Sequence, residues 1–327
     1  MTTRCYYINS LDPYFNLAIE EYLLKNCTDD IFMLWRGESS IVVGKHQNAL
    51  AEINHAHVAE KRLKVARRLS GGGTVFHDPG NINFTFIRHV EQLEKLNYAM
   101  FLDDVKAVLC ELGLAVYNSE RDDLMLDGFK ISGNAQHVHK HRVLHHGTLL
   151  FDSDLSDLKK ALRVDLSRFE HKAVQSNRSA VANIRRYLTK DMDVDTFFNY
   201  MFSRLLQLLP HAHQSMLTPE EISAITELRN AKYAQWDWIY GYSPKYSYTN
   251  RQADASLGVY LEVEKGLIKL AKFEGFSSEV AWHLSCAMVG CRHEINEIRV
   301  ALLKMQKLFD EENLLIADLL DLFFGES

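Results

Sequence analysis

The spacing of apolar residues predicts alternating helices and strands over the first two thirds of the chain. A first helix follows Asp12, which can cap it, and Pro13, which suits the first helical position. Later segments switch between the three-to-four-residue period of a helix and the short apolar runs of strands. The pattern predicts strands at 31–35 and 40–44, a helix at 49–62, three strands around a glycine run within 64–87, a helix at 93–112 and three strands at 124–150.

The pattern changes near residues 210–250, which predicts a second, smaller unit. Thr218, with Pro219 after it and Glu221 three residues on, predicts a capped helix start. Residues 256–274 predict a β-hairpin that turns at 264–266, and two or three amphipathic helices finish the chain. The expected class is α+β, with a larger unit followed by a smaller one.

Composition narrows the class of protein. The chain has 327 residues, 47% of them hydrophobic and 24% charged, which is typical of a soluble globular protein. A net charge of −6 argues against a nucleic-acid binder, and no apolar run approaches the ~20 residues of a membrane span. Five scattered cysteines and no leader-like start favour a reducing compartment. We expect a cytoplasmic, monomeric protein without nucleic-acid or membrane partners.

The segment from Arg67 to Asp78 holds three consecutive glycines shortly after Arg67 and Arg68. A triple glycine inside a strand-like run costs conformational entropy, so it needs a structural or functional reason. One reason is close approach of backbone N–H groups to a phosphate or carboxylate, which two arginines would help to hold. The alternative is a tight turn or bulge with two surface arginines.

A second segment predicts a lysine on a hairpin. Asp127-Gly128 between apolar runs is a strong signal for a two-residue turn, and period two places Lys130 and Ser132 on one face of the following strand. Lys130 is then either a functional cation or a solvated lysine at a sheet edge.

Histidines are concentrated between 137 and 146. His137, His139 and His141 alternate, which is compatible with a zinc site or with a polar, solvated strand end. The strand end is favoured because suitable acidic or thiol partners are missing nearby. His146, beside Gly147, is the better candidate for a pocket residue. The sequence contains neither common nucleotide-binding glycine loop and no hydrolase elbow, and it indicates no protein ligand for a metal.

Taken in order, these motifs resemble the lipoate–protein ligase A family of the biotin/lipoate ligase superfamily. The most specific part is the run R-R-L-S-G-G-G-T-V-F-H-D, paired with the downstream F-K-I-S-G that contains Lys130. The matching runs lie at 12–21, 34–36, 42–48, 66–81, 121–124, 129–133, 145–150, 176–183 and 236–241.

The resemblance implies a two-step reaction. Lipoate attacks the α-phosphate of ATP to give lipoyl-AMP and pyrophosphate, and an acceptor lysine then attacks the mixed anhydride and releases AMP. ATP with Mg²⁺ and lipoate are the implied small molecules, with no prosthetic group. The implied acceptors are lipoyl domains, namely the E2 subunits of 2-oxoacid dehydrogenases and the glycine cleavage H protein.

The resemblance also implies residue roles. Arg68 and Lys130 are the implied catalytic cations. The implied ATP and adenylate site comprises Arg68, Gly73, Thr74, Val75, Phe76, Asp123 and Lys130. The implied lipoate site comprises Trp35, Ser70, Gly71, Gly72, His77, Lys130 and His146.

The C-terminal segment 261–273 resembles the accessory domain of full ligases. The implied architecture is a mixed β-sheet catalytic domain over 1–240, with its motif core at about 27–210, and a small α+β accessory domain over 246–327. An ATP-dependent ligase is therefore expected. The alternatives are a lipoyltransferase that uses preformed lipoyl-AMP and, from another class, a non-catalytic module that binds lipoyl domains.

Two further expectations concern motion and the acyl pocket. The polar segment 136–143 is predicted to be a mobile loop, and 236–245 a hinge. An apolar acyl tunnel is expected to have Trp35, Phe76, Val43 and Phe86 in its walls.

Overall fold

The computed structural model describes residues 2–162, 166–176, 179–252, 256–311 and 314–325. Its strands are β1 Thr3–Ile8, β2 Asp30–Arg36, β3 Ser40–Val43, β4 Lys64–Arg67, β5 Val75–His77, β6 Asn81–His89, β7 Tyr117–Asn118, β8 Leu124–Leu126, β9 Phe129–Ser132, β10 Asn134–His139, β11 Arg142–Leu150, β12 Phe169–His171, β13 Ala212–Ser215, β14 Tyr246–Arg251, β15 Gly258–Glu264 and β16 Leu267–Glu274. Its α-helices are α1 Pro13–Asn26, α2 Ala49–Glu52, α3 His55–Lys61, α4 Ala99–Glu111, α5 Leu155–Ala161, α6 Val194–Leu208, α7 Pro219–Leu228, α8 Ser278–Met288, α9 Ile295–Leu303, α10 Gln306–Glu311 and α11 Ile316–Phe324.

The chain folds into two compact units. The first contains residues 1–45, 63–159 and 176–235, and the second contains 46–62, 160–175 and 236–327. The compact units are therefore discontinuous in sequence, whereas the predicted domains 1–240 and 246–327 are continuous. The assignment of separate functions to those two ranges stays a prediction.

A six-stranded mixed sheet is the centre of the first unit. Its strand order is β10-β11-β6-β2-β1-β13, with β1 parallel to β2 and β13 and the other neighbours antiparallel. This sheet and the surrounding helices confirm the predicted mixed α+β class.

The two faces of this sheet differ in chemistry along β6. Ile82, Phe84 and Phe86 belong to the apolar core, which also contains residues of α4 and α6. The alternating residues Asn83 and Thr85 are buried but polar. Since side chains alternate across a strand, Asn83 and Thr85 lie on the face opposite the core. Phe86 lies in the core, with its ring centroid 6.1 Å from that of Phe84, on the face opposite Asn83 and Thr85; its place in a tunnel wall stays a prediction.

Two three-stranded sheets complete the strands of the first unit. The strand β3 lies between β4, to which it is parallel, and β5, to which it is antiparallel. The strands β7, β8 and β9 form an antiparallel sheet. The predicted Asp127-Gly128 turn joins β8 to β9, and both turn residues have positive φ (50° and 79°), as a two-residue hairpin turn of the right twist requires.

The second unit has its own apolar core. Its antiparallel sheet has the order β12-β14-β15-β16 and packs with helices from α8 to α11 around residues such as Leu261, Leu284 and Leu302. The predicted hairpin turns at Lys265-Gly266, again with positive φ. The predicted hinge segment 236–245 begins as a turn of π-helix, Asp237–Gly241.

Several predicted elements differ from the structure. The helix predicted at 49–62 is two short helices, because the Asn54 side chain caps a new helix by accepting from the His57 N–H. Residues 124–150 contain four strands instead of three. The segment 136–143, predicted as a mobile loop, is the β10–β11 hairpin with a turn at Lys140, whose φ is 56°. No helix among the described residues is long and apolar enough to cross a membrane.

Candidate active site

Arg68 follows β4 and is buried beside the glycine run at residues 71–73, which forms the glycine loop. Its Nη2 donates to the carbonyl oxygens of Gly71 (2.7 Å) and Gly73 (2.6 Å), its Nη1 donates to Val42 O (3.0 Å), and its Nε donates to Ser70 Oγ (2.9 Å). Four of its five N–H groups are thus used by the protein. Burial lowers the Arg68 pKa to about 10, against the opposing effect of the Glu20 charge. Arg68 is therefore a brace for the loop as well as a local positive charge.

Arg67 is also buried, and its Nη1 donates to the Gly44 and Lys45 carbonyl oxygens at 2.9 and 3.0 Å. The alternative of two surface arginines beside a bulge was wrong. Both side chains are buried: Arg68 holds carbonyl oxygens of the glycine run and of β3, and Arg67 holds those of the segment that follows β3.

Two of the three glycines in the loop, Gly72 and Gly73, leave little room for a side chain. Gly72 has φ +84°, and a Cβ there would lie 3.2 Å from Arg68 Nη2. A Cβ at Gly73 would meet Ser176 at 3.1–3.3 Å, and the Ser176 hydroxyl accepts the Thr74 N–H at 2.8 Å. Ser176 begins the matched run 176–183, of which residues 177 and 178 lie outside the described residues.

After the loop, the strand β5 holds Val75, Phe76 and His77 antiparallel to β3, with Val75 opposite Val42. Phe76 and His77 are buried. The His77 ring contacts Trp35 edge to face, with centroids 5.5 Å apart. Burial, with smaller effects from Arg68 and His146, lowers the His77 pKa to about 3. His77 is therefore a neutral residue at physiological pH.

Lys130 lies on β9 with its side chain 23% exposed, and its Nζ is 2.9 Å from Asp123 Oδ1. Its backbone is also paired, because Lys130 N donates to Ala180 O and Lys130 O accepts from Ala182 N. An added Cβ at Gly133 would lie 3.2 Å from Nζ, so the lack of a side chain at Gly133 leaves room for the ammonium group. Lys130 thus lies on an edge strand, as the solvated-lysine alternative expected, but its ammonium is only partly exposed and is paired with Asp123; its role as a functional cation stays a prediction.

Trp35 and His146 lie on the polar face of the large sheet. Thr85 on β6 pairs directly with His146 on β11, and Asn83 pairs with Trp35 on β2. Trp35 Nε1 donates to Thr85 Oγ1 (3.1 Å), and Thr85 Oγ1 donates to Glu20 Oε1 (2.6 Å).

His146 connects this face to the glycine loop. Its Nδ1 is 3.0 Å from both Glu20 carboxylate oxygens, and its Nε2 is 2.6 Å from Ser70 Oγ. Among the predicted site residues, Arg68 directly contacts Ser70, Gly71 and Gly73, and Ser70 contacts His146. Trp35 and His77 contact each other and are joined to His146 through Thr85 and Glu20. Lys130 and Asp123 form a second contact pair on β9 and the segment before β8.

Glu20, Thr85 and Asn83 were missed by the sequence analysis. Glu20 is 2% exposed on α1, and Asn83 Nδ2 is buried without a hydrogen-bond partner among the described residues. A signal for Glu20 was present, since a carboxylate beside Ile19 on the apolar side of a helix needs a buried partner.

The described residues contain no group of three or more histidine, cysteine, aspartate or glutamate side chains placed to hold a metal ion. Asp123 is the predicted site residue whose carboxylate suits Mg²⁺, and it contacts Lys130.

Comparison with known proteins identifies the family. The model of the lipoyl protein ligase A/B catalytic domain matches residues 12–206. Lipoate-protein ligase LplJ of Bacillus subtilis is 38% identical over 273 residues, which cover 82% of each chain. Lipoate–protein ligase 1 of Staphylococcus aureus is 34% identical over 300 residues, which cover 90% of this chain and 91% of that protein.

A solved structure shares the fold. A protein of T. acidophilum with bound lipoic acid has a TM-score of 0.62 and 25% identity, over 73% of this chain and all of that one. The matched range 12–206 includes Glu20, the glycine loop, Lys130 and His146, so the site described above lies inside it. The chain therefore belongs to the lipoyl protein ligase A/B family.

Proposed function

We propose that this protein is an ATP-dependent lipoate–protein ligase, which activates lipoate as lipoyl-AMP and transfers the lipoyl group to a lysine of an acceptor protein. The observation that carries the proposal is the similarity to two proteins named lipoate–protein ligase over four fifths or more of their length and of this chain. A match of that extent is too long to be confined to the first unit.

The electrostatics of the site support adenylation. A carboxylate and a triphosphate repel each other, so their reaction needs fixed positive charge in a place where water is scarce. Arg68 supplies a buried charge beneath the glycine loop, and Lys130 supplies a partly exposed one. In this proposal Lys130 stabilises charge on the lipoyl carboxyl and the α-phosphate and is not the nucleophile.

The remaining roles are proposed on the same basis. Thr74, Val75 and Phe76 follow the loop and line the adenylate, while Trp35, His77 and His146 border the acyl chain. Mg²⁺ would enter with ATP and be held mainly by phosphates and water, as this ion prefers, and Asp123 is the predicted site residue whose carboxylate could contact it. The acceptor is a folded lipoyl domain, such as an E2 subunit or the H protein.

Exchange of labelled pyrophosphate into ATP tests the adenylation step without any acceptor. We expect exchange that requires lipoate and Mg²⁺. If lipoate gives no exchange while synthetic lipoyl-AMP still labels a lipoyl domain, the protein is a lipoyltransferase. If neither reaction occurs and the lipoyl domain still binds, the protein is a binding module.

A further inference from the structure

A chain of hydrogen bonds links the glycine loop to α1 inside the first unit. It runs from Arg68 Nε to Ser70 Oγ (2.9 Å), from Ser70 to His146 Nε2 (2.6 Å) and from His146 Nδ1 to Glu20 (3.0 Å). A second chain reaches Glu20 from Trp35 through Thr85, at 3.1 and 2.6 Å. Glu20 is thus the meeting point of two chains.

The direction of each hydrogen bond follows from donor counting. The Arg68 guanidinium can only donate, so Ser70 Oγ accepts from it. An ionised Glu20 can only accept, so the proton between it and His146 sits on His146 Nδ1. In the neutral imidazole Nε2 is then an acceptor, and it takes the Ser70 hydrogen. The Trp35 indole can only donate, so Thr85 accepts and gives its own hydrogen to Glu20. Every bond in both chains therefore points towards the Glu20 carboxylate.

We propose that Glu20 is a positioning residue for the ligase reaction: as the common acceptor of both chains, it fixes the His146 tautomer and orients Ser70, Arg68 and Trp35. This inference rests on the proposed function, since Arg68 and Trp35 are placed at the adenylate and the acyl chain. Glu20 is 2% exposed, so water cannot replace it as the acceptor. Its negative charge also favours the charged form of the buried Arg68.

The order Ser70–His146–Glu20 is that of a nucleophilic triad, but the contacts favour orientation. Ser70 is fully buried, and its oxygen already accepts the Arg68 Nε–H. A hydroxyl that accepts from a cation is a weaker nucleophile, because the lone pair that would attack is already engaged by the cation's N–H. We therefore assign Ser70 to the hydrogen-bond chain.

Glu20→Gln tests the role with little change in shape. Oε1 of Glu20 lies within hydrogen-bond distance of both Thr85 Oγ1 and His146 Nδ1, and Oε2 lies 3.0 Å from His146 Nδ1. In glutamine the acceptor at one of these positions is neutral and the other position carries an NH₂ donor that faces the His146 N–H. Both chains therefore lose their charged acceptor, and the His146 N–H loses one of its two acceptor oxygens. Because hydrogen bonds to a charged acceptor are stronger than neutral ones, we expect the kcat of lipoate-dependent pyrophosphate exchange to fall about 10- to 100-fold.

Glu21→Gln is the matched control on the same helix. Glu21 is equally buried, and its carboxylate accepts from Lys25 Nζ, Lys232 Nζ and Tyr233 Oη at 2.6–2.7 Å, none of which belongs to the two chains. We expect Glu21→Gln to lower the midpoint of thermal unfolding while retaining kcat within about threefold. Equal losses of kcat in both variants would mean that Glu20 acts only through stability, which overturns the proposal.

A spectroscopic readout separates this proposal from the ligase function itself. The Trp35 indole N–H resonance, assigned with Trp35→Phe, should shift in Glu20→Gln and stay in place in Glu21→Gln, because only the first alters the acceptor chain behind Thr85. If the wild-type protein shows no pyrophosphate exchange, the proposed function fails independently of this shift. An unchanged indole resonance in Glu20→Gln, or unchanged exchange kinetics, would overturn the positioning role.

Discussion

The two cations of the site differ in how far their donors are already used. Arg68 gives four of its N–H groups to the protein, while the Lys130 ammonium contacts the Asp123 carboxylate and has room left by Gly133. An ammonium in this setting can exchange its partner for a phosphate or a carboxylate without unfolding the loop. We therefore expect Lys130 to carry more of the reaction, and Arg68 more of the architecture.

Lys130→Ala is expected to lower lipoate-dependent pyrophosphate exchange by ~10²–10³-fold, the usual cost of a preorganised charge contact in a transition state. The fold should remain, because the backbone bonds of Lys130 to Ala180 and Ala182 do not use the side chain. Lys106→Ala is the control, since Lys106 also forms an ion pair, with Asp103 at 3.0 Å, on the surface of α4. Near-normal exchange in Lys130→Ala would remove this lysine from the mechanism.

His77 makes the stability of the protein depend on pH. Its folded pKa of about 3 lies below the ordinary value of 6.5, so between those values the unfolded chain binds a proton that the folded protein does not. Stability is therefore lost as the pH falls from about 6.5 towards 3. By linkage this one histidine accounts for about 2 kcal/mol between pH 7 and pH 5.

The comparison of wild-type protein with His77→Gln measures this effect. Urea unfolding at pH 7 and pH 5 gives the loss of unfolding free energy for each protein, and any constant packing cost cancels within each pair. We expect the loss to be smaller in His77→Gln by about 2 kcal/mol. The same loss in both proteins would mean that His77 is protonated in the folded state.

Among single residues, the sequence predicted those that belong to a recognisable motif. It missed those whose importance depends only on a contact with a distant residue. The glycine run and Lys130 stand out because such residues are costly or unusual in strands. Thr85 looks like an ordinary strand residue, and the apolar surroundings of Glu20 on its helix indicate that it needs a partner without indicating which one, until β2, β6 and β11 are aligned. Their partners are 50 to 126 residues away in sequence, a separation that local patterns do not encode.

At the scale of elements, the conformation of the glycine loop depends on the positive φ of Gly72. Gly72→Ala introduces strain of about 1–2 kcal/mol at φ +84° and also brings a methyl group against Arg68. Gly113→Ala is a matched control, because Gly113 has φ +81° with nothing within 4 Å of the added Cβ. We expect similar losses of stability in both variants, measured by urea unfolding.

The two glycine variants should differ in activity. Gly72→Ala displaces the Arg68 brace, so pyrophosphate exchange should fall at least about tenfold, the cost of misplacing a charge contact, while Gly113→Ala should retain it. Equal activity of the two variants would show that the loop tolerates movement of Arg68 and that Gly72 is needed for its backbone conformation alone.

Helices and hairpins were predicted best where a cap or a turn residue marks their ends. Asp12 and Thr218 cap α1 and α7 as expected, with the full capping box at Thr218. The break at Asn54 was missed because the apolar period continues across it. The β10–β11 hairpin was missed because polar residues at its tip resemble a loop, although they are paired with each other in register.

In the whole molecule, the second unit takes residues 46–62 and 160–175 from within the range predicted as one catalytic domain. A sequence pattern shows a domain boundary where composition changes, as it does near 236. It does not show which short segments of the first range pack into the core of the second unit. The apolar residues of those segments, such as Leu50 and Phe169, resemble those of any helix or strand.

The acyl preference also belongs to the whole molecule, because several elements must form the pocket. Trp35 and His146, which we propose near the acyl chain, already use their hydrogen bonds within the protein. Such a pocket discriminates by shape, at ~1–3 kcal/mol per methylene. We expect octanoate to be transferred within a few hundredfold of lipoate in kcat/KM, and butanoate to fail. Absence of octanoate transfer under conditions that saturate lipoate transfer would require a group that recognises the sulfur atoms.

The most direct test of the central claim is the mass of an apo lipoyl domain after incubation with the protein, lipoate and Mg-ATP. We predict an increase equal to one lipoyl group on the acceptor lysine, lost when ATP or lipoate is omitted and lost in Lys130→Ala. An unmodified domain in the complete mixture, with labelling restored only by preformed lipoyl-AMP, would contradict the claim that this protein activates lipoate itself.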